Sequence, residues 1–129
     1  MDSEPRTWVL VAEVRKPPMT ANEQRRATWR TMRAAKYEAG QIVWALAKRA
    51  RVPRLRRARV DVVWHAPTRT RRDADALGPF LKATLDGLVQ AGVVADDDYR
   101  YVPRVGLGVE IDRDRPRIEI TITELGAPE

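Results

Sequence analysis

Between Leu55 and His65 the chain alternates strictly. Ala58, Val60, Val62 and Trp64 share one parity, and Arg59, Asp61 and Val63 take the other. Residues 117–123 repeat the pattern, with Ile118, Ile120 and Ile122 set against Arg117, Glu119, Thr121 and Thr123. Successive side chains of an extended strand point to opposite faces, so both segments predict strands with one apolar and one polar face. A sheet patterned in this way needs a second layer over its apolar face.

Two helical stretches supply that layer. Thr20, Ala21, Asn22 and Glu23 have the spacing of a capping box, and a helix is expected from there to about Arg51, where Pro53 stops it. Trp29, Met32, Ala35, Ala39, Ile42, Val43 and Leu46 form its apolar face. A second helix is expected over 76–90, with Leu77, Phe80, Leu81, Leu85, Leu88 and Val89 on one side and Ala91-Gly92 as its end. The β-branched run 7–14 reads as a buried strand, and a further strand is expected over about 100–110. The order is then β-α-β-α-β-β. The fold class expected is α/β, of α+β-like character: one two-layer domain over 1–129, with a mixed sheet and both helices on one face. Residues 1–6 and 125–129 are expected to be loose tails.

Composition excludes several chemistries. The 129 residues include no cysteine and one histidine, which removes disulfides, thiolate zinc sites and cysteine nucleophiles. A bound metal would rely on oxygen ligands, which favours a hard ion such as Mg²⁺ or Mn²⁺. No apolar run approaches the ~20 residues that span a bilayer. The segment Met1–Pro5 lacks the basic start and apolar stretch of a secretory signal, so a cytoplasmic protein without membrane association is expected. The net charge of +6 is unevenly spread. Residues 1–72 carry 18 Lys+Arg against 6 Asp+Glu, and residues 73–129 carry 6 against 12. A basic half beside an acidic half suggests a polyanionic partner and a separate site for cations.

The acidic residues are grouped. Asp73 and Asp75 fall where the basic loop Thr68–Arg72 meets the second helix, and Asp96, Asp97 and Asp98 lie past that helix's far end. They return to one place if the following strand pairs beside the strand ending near His65. Converging carboxylates repel one another unless a cation is bound. Taken singly, Asp73 or Asp75 is equally a helix N-cap and the Asp96–Asp98 run a solvated turn. Lys82 and Asp86 form an i,i+4 pair opposite the leucine face. That pair is either a surface ion pair or a means of neutralising a phosphate. Arg69, Arg71 and Arg72 adjoin the acidic pair and are candidate phosphate contacts. Arg26, Arg30 and Arg33, with Tyr37 and Trp44, lie on the polar side of the first helix, which is either a face able to track phosphates and stack on bases or a solvated face whose Trp44 packs on a loop or a partner subunit.

Three stretches together resemble the RusA family of Holliday-junction resolvases: Arg71-Arg72-Asp73-Ala74-Asp75-Ala76-Leu77, Lys82-Ala83-Thr84-Leu85-Asp86-Gly87-Leu88, and Ala91-Gly92-Val93-Val94-Ala95-Asp96-Asp97. The closing Ile118–Glu124 resembles the family's last strand, and Pro17-Pro18 to Asn22 is a looser match. The resemblance implies a homodimeric, Mg²⁺- or Mn²⁺-dependent endonuclease of bacterial or phage origin. Such an enzyme cuts four-way junctions by paired phosphodiester hydrolysis in DNA recombination and repair. By motif, Asp73, Asp75 and Asp97 match the metal-binding aspartates and Lys82 the family's catalytic lysine. The chain departs from the pattern at Ala76, where asparagine is frequent, and by about three extra residues around Gly78-Pro79-Phe80. The alternatives are a nucleic-acid-binding protein of the same fold without the chemistry, for which Ala76 speaks, and a nuclease for another branched or RNA substrate.

Overall fold

The computed structural model describes residues 5–18, 20 and 28–126. Its elements follow the expected order: β1 (Thr7–Ala12), α1 (Trp29–Arg49), β2 (Arg57–Ala66), α2 (Gly78–Gln90), β3 (Arg104–Ile111) and β4 (Arg117–Leu125). A 3-10 turn, Ala74–Leu77, leads directly into α2. The sheet runs in the order β1-β4-β2-β3, with β2 and β3 parallel and the other pairs antiparallel. This is the mixed four-stranded α+β arrangement with two helices that the alternation requires. Among the described residues no helix is long and apolar enough to cross a membrane.

The strands obey their parity. Ala58, Val60, Val62, Trp64 and Ala66 of β2 are buried, as are Ile118, Ile120 and Ile122 of β4, Leu10 and Ala12 of β1, and Ala39, Val43, Phe80 and Leu88 of the helices. Residues of the opposite parity form a second, polar sheet face. There Arg59 makes a bidentate pair with Asp61 at 2.8 and 2.9 Å, and Arg117 bridges Glu119 and Asp112. His65 belongs to the same face, its Nε2 3.4 Å from Glu119 Oε1. Gly106 makes room there: a Cβ at that position would lie 2.2 Å from Asp61 Oδ1. Its strand, β3, is a sheet edge.

Three expectations need correction. The described first helix starts at Trp29. Thr28 is its N-cap, extended and accepting a hydrogen bond from the Thr31 amide at 3.2 Å. The Thr20–Glu23 box falls, after Thr20, outside the described residues, as do all of Ala21–Ala27, Arg26 included. Trp29 is not part of the apolar face; it is 59% exposed. The buried residues of α1 are Ala39, Val43 and Ala47, so its first turns extend past the packed layer. Finally, Arg6 and Leu125 are not loose. Leu125 pairs with Arg57, and Arg6 forms a two-pronged ion pair with Glu124 at 2.8 and 2.9 Å.

Candidate functional site

The β2-α2-β3 unit positions the acidic residues. Asp73 and Asp75 follow the C-terminal end of β2, at the start of the 3-10 turn. Asp73 occupies the N-cap position, yet its side chain makes no capping hydrogen bond, and both aspartates are exposed. The capping role that a lone aspartate there suggests is therefore not the one Asp73 performs.

The connection from α2 to β3 is pinned at two points. The Leu55 amide donates to Val93 O at 2.7 Å and the Ala58 amide to Tyr101 O at 2.8 Å, while Val93, Val94 and Val102 are buried. The segment between the pins projects back along α2. Within it the three consecutive aspartates have different surroundings. Asp96 Oδ1 accepts from the Asp97 amide at 2.8 Å. Asp98 accepts from the amide and guanidinium of Arg100. Asp97 alone turns to the helix, where Lys82 Nζ donates to its Oδ2 at 2.5 Å. Lys82 also lies 3.4 Å from Asp86 Oδ1, as its i,i+4 spacing predicts.

Lys82, Asp86, Val89, Gln90, Asp96 and Asp97 line one open groove of about 370 Å³. Gln90 was not singled out from the sequence. The signal was there, since residues 82, 86 and 90 recur every fourth position and share one helix face. The hydrogen bond from Lys82 holds the Asp97 carboxyl below its ordinary value, and the same bond raises Lys82. Stability contributed by Asp97 is present above the ordinary carboxylate range and is lost as pH falls through its depressed pKa. The contribution of Lys82 is lost only as pH rises through a pKa above its ordinary 10.5. The pair is thus intact throughout neutral pH.

The structure brings Asp97 to Lys82 and leaves Asp73 and Asp75 before the first turn of α2. Among the described residues no three Asp, Glu or His side chains are close enough to share a metal ion. Carboxylate oxygens suit a hard divalent cation in donor type, but Asp97 as seen here is neutralised by an ammonium group.

The basic candidates also divide. Arg72 donates to Thr68 O at 2.6 Å, to Thr70 O at 2.8 Å and to Thr68 Oγ1 at 2.8 Å, and it stacks 4.8 Å over the Trp64 ring. Its guanidinium braces the 68–72 loop. Arg69 and Arg71 are exposed, as are Arg30 and Arg33 on α1, whose guanidiniums lie 5.7 and 5.4 Å from the Trp29 ring. No protein-family model matches the chain, and no curated protein matches it.

Proposed function

We propose that this chain is a divalent-cation-dependent endonuclease acting on branched DNA, with the four-way junction as its preferred substrate, in the manner of the RusA resolvases it resembles. One observation carries the proposal: of the aspartates Asp96 and Asp97 that line the open groove, Asp97 is the one paired with a lysine. Asp97, with Asp73 and Asp75 from the preceding segment, would hold Mg²⁺ or Mn²⁺. When bound, such an ion polarises a phosphoryl oxygen and activates water. Lys82 supplies positive charge for a scissile phosphate or its leaving oxygen, and Arg69 and Arg71 hold flanking phosphates. Because resolution needs two nicks on symmetry-related strands and the described residues of each chain offer one such groove with a Lys–Asp pair, the active species is a twofold homodimer. Light scattering coupled to size exclusion measures its mass, and a monomer both free and on DNA would end the paired-nick mechanism.

The alternative is a nucleic-acid-binding protein of the same fold without catalysis. It is favoured by the direct Lys82–Asp97 pair and by the separation of the carboxylates. Incubation of labelled four-way junction, duplex and RNA with the purified protein, in Mg²⁺, Mn²⁺ or EDTA, separates the cases. Metal-dependent nicking of the junction supports the nuclease, binding without nicking supports the alternative, and preferential RNA cleavage redirects the substrate.

Two further results are expected. Lys82→Ala should slow single-turnover cleavage about 100-fold, the scale of losing one electrostatic donor, while junction affinity changes little; an unchanged rate would leave Lys82 a surface ion pair. Arg69→Gln with Arg71→Gln should lower the slope of log K against log salt by about 0.9 per lost phosphate contact. Anisotropy titrations over a salt series measure it, and a constant slope would remove the loop from the interface.

A further inference from the structure

The outward face of α1 carries a feature that cleavage does not require. At 3.6 residues per turn, Arg30, Arg33, Tyr37, Trp44 and Lys48 fall within an arc of about 60°, along about 27 Å of helix. The single acid of this helix, Glu38, lies outside that arc. Tyr37 is 70% exposed, and Trp44 is 38% exposed. At the N-terminal end the Trp29 ring, also exposed, lies beside the guanidiniums of Arg30 and Arg33. The buried positions Ala39, Val43 and Ala47 are centred about 115° around the helix from that arc. Packing therefore leaves Tyr37 and Trp29 largely uncovered and Trp44 covered only in part.

We propose that this stripe is a binding platform for single-stranded nucleic acid, in which Tyr37 and Trp44 stack on unpaired bases and Arg30, Arg33 and Lys48 follow the phosphates. It goes beyond the nuclease proposal, because it needs neither metal nor cleavage. Charge complementarity selects the occupant. A stripe with cations and no acid matches a polyanion, whereas a second copy set face to face would oppose like charges. Unpaired bases are favoured over duplex because flat aromatic side chains stack only where a base face is open. A lipid surface fits less well, since an interfacial helix needs a broad apolar face, and that of α1 is spent on the core.

The test uses the full chain in EDTA with a fluorescein-labelled oligo(dT) 12-mer, read by anisotropy and by quenching of tryptophan emission. The parent should bind and be quenched. Tyr37→Ala and Trp44→Ala should each weaken binding about tenfold, within the range found for loss of one base–aromatic stack. Arg30→Gln with Arg33→Gln should reduce the salt slope by about 0.7 per contact. Far-UV circular dichroism and melting temperatures equal to the parent's confirm that each variant is folded. The proposal fails if the parent does not bind, or if both aromatic variants bind like the parent. It also fails if Tyr37 and Trp44 are instead needed for dimerisation or for binding vesicles of phosphatidylserine and phosphatidylcholine. Oligonucleotide binding without junction cleavage would retain the stripe and discard the nuclease; cleavage without oligonucleotide binding would do the reverse.

Discussion

Asp97→Asn should abolish junction cleavage, by about 10³-fold or more, and leave junction binding within a few-fold of the parent. Loss of a ligand to a catalytic cation forfeits several kcal/mol of transition-state stabilisation, and each 1.36 kcal/mol is about tenfold in rate. Binding should survive because the change removes a negative charge and none of the arginines. The fold should survive too: Asp97 meets Lys82 at the surface, and Lys82 retains Asp86 3.4 Å away. The neighbours provide the control. Asp96 and Asp98 spend their carboxylates on the turn itself, on the Asp97 amide and on Arg100. In Asp96→Asn a side-chain carbonyl remains to accept from the Asp97 amide, and in Asp98→Asn it remains to accept from the Arg100 amide while the exposed second bond to the guanidinium is lost, so both variants should cut at rates close to the parent's. Equal activity in all three variants, measured under saturating Mn²⁺, would remove the groove from the chemistry. Equal loss in all three would mean that the turn, and not the Asp97 carboxylate, is what cleavage needs.

The largest stability effect is expected at Gly87. A Cβ there would lie 2.7 Å from the carbonyl oxygen of Gly40 and 3.1 Å from Val43 Cβ. The first of these atoms is backbone, so it cannot rotate aside, and the two helices must separate. Gly87→Val adds a branched side chain to that contact. Overpacking in a filled core costs about 1–3 kcal/mol, and a loss of about 3 kcal/mol is expected, read as a lower urea midpoint at unchanged slope. Gly78 is the contrast. Its backbone is helical, with φ −51 and ψ −50, and beyond its two chain neighbours a Cβ would meet nothing within 4 Å. Gly78→Ala should stay within about 1 kcal/mol of the parent, because the gain in helix propensity is opposed by the crowding that Pro79 imposes on a helical residue with a Cβ before it. If Gly87→Val is as stable as the parent, the close approach of α1 and α2 is wrong.

Local physics made much of this molecule legible before any coordinates. The parity of 58–66 and 118–122 specified which side of each strand is buried, because side chains of an extended chain alternate. The leucine spacing of 77–88 specified the inner face of α2, and the Lys82–Asp86 pair follows from helix geometry alone. Tertiary structure decided what no local pattern encodes. Which of Asp96, Asp97 and Asp98 meets Lys82 depends on the two hydrogen bonds that tie Val93 and Tyr101 to Leu55 and Ala58, contacts between segments far apart in sequence. Arg72 is indistinguishable from Arg69 and Arg71 as a letter in a basic run. Its position over the Trp64 ring exists only once the loop has folded onto β2. Gly87 scans as a helix-weakening residue, and its use appears only when the backbone of Gly40 packs against it. Trp29 shows the converse limit: it has the right spacing for the apolar face, but periodicity records the direction of a side chain and not whether anything lies opposite it.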